Sequence, residues 1–178
     1  LDRRTRVMVR EDTFAVLRES GTTGILVTHD QDDAMRMADR ILMMQGGRIV
    51  QSGTGEALCR RPATLAVARF FAEWNELPAT VRGGVAHTPA GDFPAPGIAD
   101  GSAAVVCIRP AGIRFGAAGA QGRVVARHFL GDAEMIHVAV EGLAQPLRAT
   151  AVPGGGPTPG AAVHVSVLPE DVLVFPAG

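Results

Sequence analysis

Apolar residues recur with two different rhythms along the 178-residue chain. Up to about residue 75 they fall at helical spacing, interrupted by short apolar runs; beyond Pro78 they alternate with polar ones, as strands do. In "RRTRVMVREDTFAVLRES" Val7, Phe14 and Leu17 lie roughly on one helix face, with Gly21 where that helix should stop. "GILVT" (24–28) is short, β-branched and mostly apolar, the pattern of a strand covered on both faces in a parallel sheet. Asp30 can cap the helix that follows. Asp33 stands three residues on, at the acid position of a capping box, and carboxylates in that first turn suit the helix dipole. "RILMMQGGRIVQSG" predicts a β-hairpin, Ile41 to Met44 and Arg48 to Gln51, turning at Gly46-Gly47. A last helix is expected after Pro62, with Val67, Phe70, Phe71 and Trp74 on one face as core.

After Pro78 the pattern is all strand. "ATVRGGVAHT", "AAVVCIRP", "GRVVARHFLG", "AEMIHVAV", "QPLRATAV" and "AAVHVSVLPEDVLVF" are short strands parted by Gly, Pro and Asp, which predicts a small sandwich or barrel. "PGGGPTPG" (153–160) offers almost no side chains to pack and is expected to be a flexible loop. Neither it nor "GAAGAQG" is a phosphate cradle, because no Lys-Ser/Thr follows and no helix opens there.

A hydrophobic share of 47% is enough for a sizeable core, and the formal net charge of -1 builds no field that calls for nucleic acid or an anionic membrane. Cys59 and Cys107 are far apart, in no metal spacing, and read as reduced thiols of a cytosolic protein. No apolar run approaches the roughly 18 residues of a membrane span. No signal peptide opens the chain, and Leu1 followed at once by a helical pattern reads as the start of a fragment.

The candidate chemistry sits at His29. A histidine directly after a buried parallel strand lies at the carboxyl edge of a sheet, where open α/β sheets bind ligands. Its imidazole could donate to a phosphate oxygen; equally it could be an idle loop histidine, and spacing alone does not separate the two.

"ILVTHDQDDAMRMADRI", then "GGRIVQSGT", then "RRPATLAVARFF" resemble the end of the nucleotide-binding domain of ABC-transporter ATPases, in the importer subfamily for sugars, polyamines and ferric iron. "THDQDDA" resembles that family's switch motif, the H-loop, and the opening "LD" resembles the end of its D-loop. "CIRPAGI", "RHFLGDAEMIHV" and "VLPEDVLVF" resemble the TOBE domain that follows the ATPase in these importers. The resemblance implies an α/β remnant of an ABC ATPase domain over 1–75, followed by an all-β, OB-like TOBE barrel over 76–178, α+β overall.

By the same resemblance His29 is the residue that contacts the γ-phosphate and helps place the attacking water. Asp2 corresponds to the D-loop aspartate at the dimer interface. The phosphate loop, signature motif, glutamine loop and Walker B pair are absent from this sequence. The resemblance therefore implies ATP and Mg as cofactors of an intact subunit, and neither cofactor nor activity for this fragment alone. It implies a second ATPase copy, integral-membrane permease subunits and, indirectly, a periplasmic binding protein as partners, with no nucleic acid. Its place would be the cytoplasmic face of the inner membrane. "ADRILMMQGGRIVQ", "RFFAEWNELPATV" and "VLVFPAG" look most like ferric-iron importers, with polyamine, thiamine or sugar import as the runner-up. The alternative from another class is a non-catalytic regulatory or ligand-binding TOBE module.

No metal site is expected. His87, His128, His137 and His164 all lie in the β-half, no pair has helical i, i+4 spacing, and no cysteine joins them. A hairpin turning at "FLGDAE" would pair Phe129 near Glu134 and set His137 away from His128's partner.

Overall fold

The computed structural model describes residues 12, 13 and 15–177 and divides the chain into two compact units, 1–72 and 73–178. The protein is mostly β.

In the first unit the helical residues 15–19 end as expected at Gly21, which takes φ +64°. Its N–H donates to the Arg18 carbonyl and that of Thr22 to Leu17, the paired closure that glycine permits past a helix end. The first half of the expected helix, Val7 included, and the side chain of Phe14 lie outside the described residues. "GILVT" does not form a strand. It runs as irregular chain with Ile25 and Val27 each 93% exposed. A strand needs a neighbour for its backbone groups. Among the described residues the unit's one sheet is the antiparallel hairpin that comes later.

α1 (Gln31–Met37) follows, then β1 (Ile41–Gln45) and β2 (Arg48–Gly53), joined through Gly46 and Gly47 at φ +57° and +74°. These left-handed values match the twist of a two-residue hairpin turn. A short helix that the pattern did not announce, α2 (Gly55–Arg60), is capped by the Thr54 hydroxyl accepting from Ala57 N–H at 3.2 Å. α3 (Leu65–Phe71) is capped in the same way by Thr64. Ile41, Leu58, Val67 and Phe71 make the unit's core. Trp74 does not share their helix face. The helix ends at Phe71, Ala72 is already extended, and Trp74 belongs to the second unit.

That second unit has two five-stranded antiparallel sheets. One runs β12-β6-β3-β4-β5, from β3 (Asn75–Arg82), β4 (Val85–Thr88), β5 (Gly91–Pro94), β6 (Ala103–Ile108) and β12 (Val172–Pro176). The other runs β10-β9-β8-β11-β7, from β7 (Ile113–Gly116), β8 (Ala120–Phe129), β9 (Glu134–Val140), β10 (Leu147–Ala151) and β11 (Ala162–Val167). Their inner faces share one core, with Val81, Val106 and Ile108 from the first sheet and Val124, Ile136, Val138, Leu147 and Val165 from the second. On β9 burial alternates strictly, Glu134, Ile136, Val138 and Val140 inward, which is the period-2 pattern read from the sequence.

Two tight crossovers link the sheets. β6 passes to β7 through a 3-10 turn at Pro110–Gly112, and β11 passes to β12 through one at Pro169–Asp171. The turns bond reciprocally: Arg109 N–H donates to the Asp171 carbonyl at 3.0 Å, and Leu168 N–H to the Gly112 carbonyl at 2.9 Å. They pass so closely at Gly112 that a Cβ there would lie 2.2 Å from the Asp171 Cβ. Asp171 also places its carboxylate 3.7 Å from the Arg109 guanidinium, which stacks 4.2 Å over Trp74.

The glycine-rich loop, expected to be flexible, is pinned. Arg127 donates to the Gly156 carbonyl and Arg123 to that of Gly160. A Cβ on Gly156 would meet the Ile136 side chain at 2.2 Å, so its bare backbone packs against the core where a side chain otherwise would.

Candidate functional site

His29 lies between the irregular segment and α1. The Thr28 hydroxyl accepts from Asp30 N–H at 3.0 Å, and Asp30 Oδ1 accepts from the N–H groups of Asp32 and Asp33 at 2.9 and 3.3 Å. Asp30 thus caps α1 as its position predicts. His29 is exposed. The corner offers one imidazole beside a helix start whose cap, Asp30, is already engaged. All 17 basic residues of the chain are arginine, so the lysine of a phosphate loop is not among them. The residues present therefore do not by themselves fit ATP and Mg, and no step of hydrolysis is derived from this chain alone. Asp2 lies outside the described residues.

The second unit holds the better-organised polar groups. Asn75, 6% exposed, donates to the carbonyls of Ile108 (3.3 Å) and Arg148 (2.8 Å) and accepts from Arg148 N–H (2.7 Å). One side chain thereby ties β3 and β6 to β10 of the other sheet. The Arg148 guanidinium is held by Glu73 at 2.9 Å and the Trp74 carbonyl at 2.7 Å. Arg127 meets the buried Glu134 at 2.6 Å. That hydrogen bond holds the Glu134 carboxyl below its usual range, against burial that acts to raise it, with the Gly154 N–H assisting. Asp100 accepts from the N–H groups of Gly83 and Gly84 at 2.9 and 3.2 Å, which lowers its pKa in turn and anchors the β3–β4 turn.

The β-half histidines do not gather as a metal cluster: no group of three or more His, Cys, Asp or Glu side chains suited to a cation occurs among the described residues. His87 pairs with Asp92 at 2.8 Å. His128 and His137, however, are in ring contact, 5.4 Å between centroids at 78°. The predicted register is right, since Phe129 pairs with Glu134 and His128 with Met135. The rings meet on the diagonal across the ribbon, not between directly paired residues. His29 belongs to the first unit and these groups to the second.

Residues 106–175 match the model of the TOBE domain family. Over 98% of its length the chain is 38% identical to the Fe(3+) ions import ATP-binding protein FbpC of Streptomyces avermitilis and 40% identical to that of Streptomyces coelicolor. It spans about half the length of these curated relatives, 51% of each. Among solved structures the cytoplasmic molybdate-binding protein ModG, with molybdate bound, aligns at TM-score 0.45 and 13% identity, over 57% of this chain and 94% of that one, a likeness too loose to define topology or ligand.

The chain thus carries a TOBE domain, and it is homologous to the C-terminal part of ABC-importer ATP-binding subunits. The homologues are mainly the ferric-iron subunits.

Proposed function

We propose that this chain is the C-terminal portion of the ATP-hydrolysing subunit of an ABC importer for ferric iron. The observation that supports the reading is the pair of matches running along 98% of the chain, both to subunits named for Fe(3+) import. Ferric iron is favoured over polyamine, thiamine or sugar on that ground. Residues 1–75 then derive from the nucleotide-binding domain and 76–178 form the TOBE domain. The subunit would work as a homodimer on the cytoplasmic face of the inner membrane, against permease subunits fed by a periplasmic binding protein, with ATP and Mg as cofactors. Among the described residues no helix is long and apolar enough to cross a membrane.

In this reading His29 supplies one aimed imidazole to the γ-phosphate, and the dimer contact falls to Asp2. The phosphate's main holders lie in the rest of the subunit. Removing one such donor costs a hundred- to thousandfold in turnover, ~2.7–4 kcal/mol of barrier, with little effect on ground-state affinity. The test is His29→Ala in the intact subunit assembled with its permease, measuring ATP binding by calorimetry and phosphate release. Turnover should fall by that factor with binding retained. Unchanged turnover, or tight ATP binding by the 178-residue chain alone, refutes the assignment. Uptake of radiolabelled ferric iron, with spermidine as the rival solute, decides the substrate.

A further inference from the structure

We propose that the outer face of the β8–β9 ribbon is a binding site for a soft monovalent cation, Cu(I), held by His128, His137 and Met135. The register places the three side chains together. His128 stands directly opposite Met135, and His137 follows Met135 by two residues on the same face of β9. Directly opposed residues have Cβ atoms roughly 5 Å apart, close enough for side chains to share a ligand. A bulge between Val124 and Ala126 shifts the pairing by one, so His137 faces Ala126 rather than a bulky neighbour. The space beside it is left to the His128 ring.

The two rings pack edge to face, within reach of one shared ion. Two imidazoles on one trigonal ion, each nitrogen at about 2.0 Å, set their ring centres roughly 5.5 Å apart. His128 and His137 are already 5.4 Å apart. Turning a ring nitrogen toward a common point requires rotation about χ2, a soft torsion, and His128 is exposed and able to make it.

The donor set and the local charge select the ion. Imidazole suits several transition metals, but a thioether narrows the choice to soft ones, copper(I) first. Among the described residues no carboxylate joins the group to offset a higher charge. On the far side of His137 its cross-strand partner is Arg148, whose guanidinium is turned to Glu73 and the Trp74 carbonyl. Two imidazoles and a thioether carry no charge of their own, so the site offsets a singly charged ion's lost hydration more readily than a divalent one's. Hard cations, ferric iron among them, lack the oxygen ligands they need here.

The experiment uses the 178-residue chain with Cys59→Ser throughout, so that the half-buried thiol does not compete. Cu(I) is titrated anaerobically against a colorimetric Cu(I) chelator at neutral pH. One equivalent should bind. His128→Ala or His137→Ala should weaken it by at least the ~10–100-fold that loss of even an outer-shell partner costs. Met135→Leu should weaken Cu(I) while leaving the thermal melt unchanged. In the unsubstituted site the ring resonances of His128 and His137 should shift together on titration, with those of His87 and His164 unmoved. Binding that survives the double histidine change, binding that Met135→Leu leaves intact, or shifts spread evenly over all the histidines would overturn the proposal and leave the pair as ring packing only.

Discussion

Gly112→Ala should unfold the β-unit early, and its cost can be worked from the crossing of the two 3-10 turns. The new Cβ would fall 2.2 Å from Asp171 Cβ and 2.9 Å from its Cγ and Oδ2. Ordinary contact begins near 3.4 Å, so the two backbones must part by about 1 Å. Neither is free to move. Arg109 N–H and Leu168 N–H tie the turns to one another, Gly112 N–H and Asp171 N–H close each turn on itself, and each carries a proline. Overpacking of a tight site costs about 1–3 kcal/mol, and stretching the reciprocal bonds adds ~0.5–1.5 kcal/mol each. A total of about 2–6 kcal/mol corresponds to a fall in Tm of roughly 10–35 °C for a unit of this size. Scanning calorimetry of the whole chain reads it. The contact also predicts its own rescue. Asp171→Gly removes the opposing Cβ and should restore much of the lost stability in the double variant, although it also removes the Arg109 ion pair. Asp171→Ala keeps that Cβ and should not. A Gly112→Ala protein within about 0.5 kcal/mol of the parent, or equal rescue by glycine and alanine, would refute the steric account.

Asn75→Ala removes the side chain that joins the two sheets and leaves Arg148 N–H and two carbonyls short of a partner. Each orphaned group costs about 1–3 kcal/mol, so urea unfolding should show a loss of several kcal/mol with little change in slope. Acid should weaken the β-unit through Glu134 and Asp100. Both carboxyls titrate lower folded than unfolded, so their stabilisation is complete above the unfolded values near 4 and is lost as pH falls through the folded ones. Melting temperature against pH should therefore drop below about pH 4, and Glu134→Gln should flatten part of that drop. Ile25, Leu26 and Val27 present an uncovered apolar stretch, Ile25 and Val27 at 93% exposure, and the hairpin adds Leu42, Met44 and Ile49. The isolated chain should self-associate through them; sedimentation should show a concentration-dependent dimer that Ile25→Ser/Val27→Ser abolishes, and a strict monomer at high concentration refutes it.

The sequence alone determined several elements whose cause is local, though not the short helix capped by Thr54. Gly21 ends a helix, Asp30 caps one, and Gly46-Gly47 turn a hairpin because those choices depend on φ and on neighbouring N–H groups. The period-2 runs after Pro78 became strands because alternation suits any two-faced sheet. What failed depended on partners far along the chain. "GILVT" has the composition of a buried strand but no strand beside it among the described residues, and composition cannot supply one. Trp74 fits the helical period of Val67 and Phe71, yet the helix stops first and the ring stacks under Arg109, 35 residues on. "PGGGPTPG" lacks side chains, and only the fold shows its backbone filling a gap over Ile136 and held by two arginines of β8. His29 was legible as a motif, because a histidine between an apolar run and a capped helix is a local arrangement. The His128–His137 contact was not, because it rests on a one-residue bulge and the diagonal of a twisted ribbon, which only the paired strands define.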